Sequence, residues 1–542
     1  MKKSLLFFVS CVLIVFSIQA QQRPTIKSTV FKKDTFSITK FGAISNEVTL
    51  NHKAIQAAID ACNKKGGGVV LVPKGFWLTG PIVLKSNVNL HLQHNALLQF
   101  TADKSQYPLV ETNWEGLPAV RNASPISATN ATNIAITGHG IIDGNGDVWR
   151  AVKKGKLTDS QWKKLLANGG VLSNDKKVWY PSEDYARGDT TKKAGVLFNG
   201  KTAEDYKNIK DFLRPNLLVL TRCNRILLEG VTFQNSAAWC LHPLMSTHLT
   251  VRNITVKNPW YAQNGDGIDV ESCRYVLIEN SVFDVGDDGL CIKSGRDEEG
   301  RKRAMPTQDV IIKNCTVYNA HGGFVIGSEM SGGAKNIFVD DCTFVGSDIG
   351  LRFKTTRGRG GIVENIFINN INMQNIPGEA ILFDMYYMAK DPIVLEGEAR
   401  EAPKVTFEPI TDATPQFKNI YIKNVVCNGA EKALFIRGLP EMNIQNIQIE
   451  NFMANTKQGI QINEAKNISL KNIQVNASKP GPLVDIVNSQ LLQFYSFNKE
   501  GQAAIKVAGN RSANIIWQNS AVIDTSKSVF EFGSTPNVIQ VK

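Results

Sequence analysis

The chain has 542 residues, 43% hydrophobic and 20% charged, with 43 Gly and 20 Pro. That balance is ordinary for a globular protein and excludes disordered, collagen-like and disulfide-scaffold classes. Lys and Arg number 61 against 49 Asp and Glu, an excess that points to an acidic partner; no basic stripe interleaved with aromatics suggests nucleic acid.

Lys2 and Lys3 precede an apolar run from Leu5 to Ile18, and Ile18-Gln19-Ala20 fits a small-residue cleavage site. Residues 1–20 read as a secretory signal peptide and 21–542 as one exported domain, periplasmic or secreted, monomeric and without a membrane span. Cys11 lies in the leader. The other eight cysteines show no C-x-x-C spacing, so no metal is expected of them, and buried thiols with one or two disulfides are.

Residues 51–65 place Ile55, Ile59 and Cys62 on one helical face, stopped by Gly66-Gly67-Gly68. From there a unit of alternating apolar residues closed by Asn, Gly or Asp recurs to the end of the chain. It begins at Ile134, Ile226, Leu249, Val276, Val310, Ile337, Ile366, Ile420, Ile447 and Ile468. Each unit is a short strand, and its closing residue suits a tight left-handed bend. Strands that return to register after each coil describe an all-β, single-domain, right-handed parallel β-helix, with the first helix capping its open apolar end. Segments at about 150–213 and 385–416 interrupt the repeat. Both are polar and are expected to be irregular loops.

A second strand per coil aligns as Gly267–Glu271, Gly289–Lys293, Gly323–Gly327 and Gly350–Lys354. Alternate residues face outward and stack about 4.8 Å apart, giving a ladder that contains Asp269, Glu271, Lys293, Arg352 and Lys354. Just before these strands lie Asn264-Gly265-Asp266, Gly286-Asp287-Asp288 and His321-Gly322. The register sets Asp266 beside Asp288 and Asp287 beside His321. Crowded carboxyls have pKa values driven apart, so one stays protonated while another is ionised. Glycoside hydrolysis needs that pair, and the adjacent Arg and Lys suit a sugar bearing a carboxylate.

These four segments, in this order, resemble the signatures of the polygalacturonase family, family 28 of the glycoside hydrolases: Asn-Thr-Asp, Gly-Asp-Asp, His-Gly and Arg-Ile-Lys. The resemblance extends over nearly the whole chain after the leader. It implies an inverting hydrolase of pectic galacturonan that needs no metal or other cofactor. Asp287 is then the general acid, Asp266 and Asp288 activate water, and His321 supports the acid. Asn264, Arg352, Lys354 and Lys293 bind substrate. Two residues depart from the pattern: Gly265 stands for Thr and should loosen the turn that aims Asp266, and Phe353 stands for Ile and should point inward.

Rival readings have visible discriminants. A pectate lyase shares the fold but uses calcium-binding acids, and Asp143-Gly144-Asn145-Gly146-Asp147 only imitates the start of a calcium loop, because Lys154 stands where the loop needs Glu. A non-catalytic polysaccharide binder needs no acid triad. A rhamnogalacturonan hydrolase lacks the His-Gly and Arg-Lys set. Long loops, including Ser294–Arg303 with four basic residues able to hold a terminal uronate, favour exo over endo attack. Cys315 and Cys342, on equivalent places of successive coils, read as stacked thiols rather than a disulfide.

Overall fold

The computed structural model describes residues 23–198, 200–389, 405–498 and 500–542. The proposed leader therefore lies outside the described residues, as does the stretch 390–404 of the second insertion. Among the described residues, thirty-four strands join side by side, every pairing parallel, into one sheet wound as a solenoid. The apolar starts of the repeat fall in one register column: Ile134 pairs Ile226, then Leu249, Val276, Val310, Ile337, Ile366, Ile420, Ile447 and Ile468. All are fully buried or nearly so, each contributing on the order of 1.5–3 kcal/mol of apolar transfer. The closing residues adopt the expected left-handed backbone, with φ of 55° at Asn253, 51° at Asn280, 54° at Asp341 and 56° at Asn451.

Helix α1, His52–Lys64, buries Ile55, Ala58, Ile59 and Cys62 against the first coil. All eight cysteines after Cys11 are buried and unpaired. The expected disulfides are not formed, and in Cys315 and Cys342 burial and the thiol–thiol contact give stacked thiols. Residues 23–34 run outside the solenoid along its axis. Arg23 pairs with Asp340 (2.9 Å), the Lys27 N–H donates to His248 Nδ1 (3.2 Å), and Val30 exchanges hydrogen bonds with Asn133.

The insertion 150–213 is not an irregular loop. It folds into helices α2 (Asp159–Ala167) and α3 (Glu183–Thr190) and a small antiparallel sheet. Tyr206, Ile209 and Leu213 form a satellite core with Val120. Val120 belongs to a second unanticipated element, the antiparallel hairpin Leu109–Trp114 and Leu117–Asn122. Its two turn residues, Glu115 and Gly116, both have positive φ, the two-residue geometry that matches strand twist. Of the second insertion, residues 405–416 hold no strand before Gln416 and are tied down by Arg357 to the Thr406 carbonyl (3.0 Å) and by Arg301 to Asp412 (3.1 Å).

Candidate active site

Strands Ile268–Glu271, Leu290–Lys293, Phe324–Gly327 and Leu351–Lys354 stack in the register read from sequence. The corner before them brings Asp266, Asp287 and Asp288 together, one oxygen from each lying within 4.8 Å of the others. His321 Nδ1 lies 3.3 Å from Asp287 Oδ1, and its backbone N–H donates to the Asp287 carbonyl (3.0 Å). Lys354 Nζ donates to Asp288 (2.7 Å), and Arg352 Nη1 reaches the other Asp288 oxygen at 3.4 Å. Gly322 leaves no room for a side chain here: a Cβ would run into Val325 Cγ2 and crowd Arg352 Cδ (3.3 Å) and Asp288 Oδ1 (3.4 Å).

Burial separates the three acids. Asp266 and Asp288 are buried, whereas the Asp287 side chain keeps 21% of its surface and His321 51%. Burial alone would raise Asp288, but Lys354 and Arg352 hold it at about 2. Asp266 has no such partner; burial and the charges of Asp269 and Asp287 push it well above the usual carboxylate range. Its Oδ1 makes no hydrogen bond within the protein. His321 is raised by its bond to Asp287. Three carboxyl oxygens this close would also suit a cation, but Lys354 and Arg352 already supply the counter-charge from within the chain.

The structure corrects several expectations. The outward ladder does not face solvent: Asp269, Glu271, Lys293 and Lys354 are all buried. Lys293, expected on substrate, instead pairs with Glu329 (2.9 Å) and Asp269 (3.7 Å) under the hairpin. Glu271 is taken by His242 (2.8 Å) and Arg303 (2.5 Å). The other basic residues of Ser294–Arg303 are engaged too: Arg296 with Glu115, Arg301 with Asp412 and Lys302 with Glu298. Each is paired with one of the protein's own acids rather than standing free beside the site. Gly265 does not loosen its turn. Asn258 Nδ2 donates to its carbonyl (3.0 Å), and a Cβ there would meet Ala262 Cβ at 2.8 Å. Phe353 does point inward, stacked 4.4 Å from Phe383.

Three residues were not anticipated. Arg214 holds Asn264 Oδ1 (2.8 Å) and the Gln263 carbonyl (2.8 Å), aiming the turn that carries Asp266. Tyr387 places its ring 5.1 Å from Lys354 Nζ and 5.7 Å from the Arg352 guanidinium. Asp348 lies 3.7 Å from His321 Nε2. None of the three left a local sequence signal.

The description "Glycosyl hydrolases family 28" matches residues 188–430. An exopolygalacturonase from Thermotoga maritima, solved as a crystal structure, is 31% identical, with a TM-score of 0.66; the match covers 83% of this chain and 94% of that one. The chain belongs to family 28 of the glycosyl hydrolases. As a family 28 enzyme it is also similar to a probable polygalacturonase of Vitis vinifera, 28% identical over 77% of this chain and 73% of that protein. An exo-poly-alpha-D-galacturonosidase of Dickeya chrysanthemi is 29% identical over 65% of this chain and 57% of its own length. The protein is thus a glycoside hydrolase on a parallel β-helix, and the lyase and non-catalytic readings fall away. Among the described residues no helix is long and apolar enough to cross a membrane.

Proposed function

We propose that the protein is an exo-acting polygalacturonase that cleaves α-1,4-linked galacturonate from the end of a pectic chain outside the cytoplasm. The observation that carries this reading is the pairing of an acid on the groove, Asp287 beside His321, with a buried carboxylate that Lys354 and Arg352 keep ionised.

In the reactive form Asp287 protonates the glycosidic oxygen as the C1–O bond breaks. Asp266 and Asp288 hold a water and take its proton as its oxygen adds to C1. Lys354 fixes Asp288 as the anion that takes this proton. Arg352 pairs with the uronate carboxylate, Tyr387 offers a ring beside it, and Asn264 orients the sugar. Lys354 serves substrate through Asp288, and Lys293 through the charge balance under the site.

Exo attack follows from the hairpin. Trp114 stacks on Trp239 (5.4 Å), on the N-terminal side of Asp266, and the Gly116 carbonyl accepts from the Arg296 N–H (3.3 Å), tying the hairpin to the segment after Lys293. That wall closes one end. The acid spacing is shorter than the ~6.5–9.5 Å usual for inverting pairs; inversion rests here on the likeness to family 28, with Asp266 and Asp288 together holding the attacking water.

Proton NMR of the first product from polygalacturonate tests both points. Monomeric β-galacturonate released with little loss of viscosity is the expected result. An α anomer overturns inversion, and a mixture of oligomers overturns exo attack.

A further inference from the structure

A galacturonan longer than a few units extends well beyond Asp287. With the N-terminal side walled by the hairpin, its trailing part runs toward the later coils. The corner that carries Asp287 and His321 continues there: the Asp348 N–H bonds the Ala320 carbonyl (2.7 Å) and the Gly378 N–H bonds the Asp348 carbonyl (2.8 Å). Beyond that point the corner opens into a cleft of about 630 Å³, lined among others by Asn375, Pro377, Asn428, Glu431, Asn455 and Lys457.

We propose that this cleft is a remote binding site for the trailing polyuronate, a proposal that rests on the polygalacturonase reading. The cleft begins three coils past Asp287, roughly 14 Å at about 4.8 Å per coil, and spans a similar length from Asn375 to Asn476. One coil is comparable to the advance of one linked pyranose, so successive sugars meet successive coils. The lining suits them. Asn476 Nδ2 donates to Asn455 Oδ1 (2.9 Å) and Asn455 to Asn428 (3.4 Å), a row of amide edges for hydroxyl groups. Lys457 and Lys479 converge on Glu431 (2.9 and 2.7 Å) while keeping 58% and 53% of their side-chain surface. Bonds from Lys479 and Lys457 hold Glu431 at about 2, so two ammonium groups face one carboxylate and the cluster is left positive. Each exposed contact is weak and screened by salt. Their value lies in linkage to a chain already held at Arg352, which makes them intramolecular.

The test uses the full chain carrying Lys457→Glu and Lys479→Glu, with unfolding temperature as the folding control, assayed on trigalacturonate and on long polygalacturonate. The expected result is a rise of about tenfold in KM on the polymer at low salt. At about 1 M salt, where the screening length is only ~3 Å, that rise disappears; kcat and the trimer KM are unchanged. An unchanged polymer KM overturns the site, and so does an equal change on both substrates. A wild-type protein inert on both substrates marks a different failure, that of the polygalacturonase reading, and removes this site with it.

Discussion

Two corners of the same solenoid stack like on like, with opposite results. At one, Asn314 Nδ2 donates to Asn280 (2.7 Å), Asn424 to Asn369 (2.9 Å), Asn451 to Asn424 (2.8 Å) and Asn472 to Asn451 (2.8 Å). An amide is donor and acceptor at once, so each coil satisfies the next. At the other, carboxyl stands on carboxyl: Asp266, Asp287 and Asp288, with Asp269 buried behind them. An ionised carboxylate only accepts, so repetition leaves the stack short of protons and cations. The same coil spacing therefore gives a structural seam on one edge and a reactive one on the other. The difference is a single chemical property of the repeated side chain.

The largest effect should come from neutralising the reactive seam. Asp287→Asn removes the proton donor and should lower kcat on trigalacturonate by a factor on the order of 10³ or more, with the fold intact. Near-normal turnover would show that the acid is elsewhere.

Next come the two cations that make the carboxylate stack tolerable. Arg352→Ala and Lys354→Ala should each cost about 2–4 kcal/mol in kcat/KM on unesterified substrate. They should differ on a methyl-esterified oligomer, where Arg352→Ala loses less because its carboxylate partner is gone. Lys354→Ala stays costly on both, because it leaves Asp288 buried and unpaired. Asp288 is ionised above about 2 in the intact site; without Lys354 its pKa rises, and the acid limb of the pH–rate profile moves to higher pH. Identical behaviour of the two variants would break the distinction.

The third prediction concerns His321. Its pKa is raised by Asp287 above the ordinary 6.5, so the imidazolium is present at lower pH and is lost as pH rises through that value. kcat/KM should fall on the alkaline side, and His321→Gln should flatten that limb.

The smallest effect tests the quiet seam. Asn451→Asp sets a carboxylate between Asn424 and Asn472, both exposed, and should cost about 1 kcal/mol of stability at pH 7. The loss should shrink at low pH, where the new carboxyl can donate again, and turnover should not change. A large loss of activity would mean that the two corners are not independent.

The comparison also shows what was legible in the sequence. The coil register and the order of the acidic corner could be read because both are local: alternation fixes the inward column, and Asp266, Asp288 and His321 occupy consecutive coils. What covers the ladder could not be read. Lys293 and Glu271 lie under a hairpin that ends at Asn122, and no pattern near Lys293 reveals it. Arg214 reaches Asn264 across fifty positions, and Tyr387 lies 33 residues past Lys354. Three of the four basic residues of Ser294–Arg303 looked available because their partners, Glu115, Asp412 and Glu271, are distant in sequence.

The segment 23–34 has a consequence for assembly. A chain is synthesised from its N-terminus, yet Arg23 docks on Asp340 and Phe338, and Lys27 on His248. The first described residues wait for coils made some three hundred positions later. The segment thus emerges before the coils it docks on and is among the last to be protected. Its docking is a fastening that closes only once the middle of the solenoid has formed. Long-range contacts of this kind slow folding, and this one makes the N-terminal segment a natural reporter: its resistance to protease should appear after that of the coils beneath it.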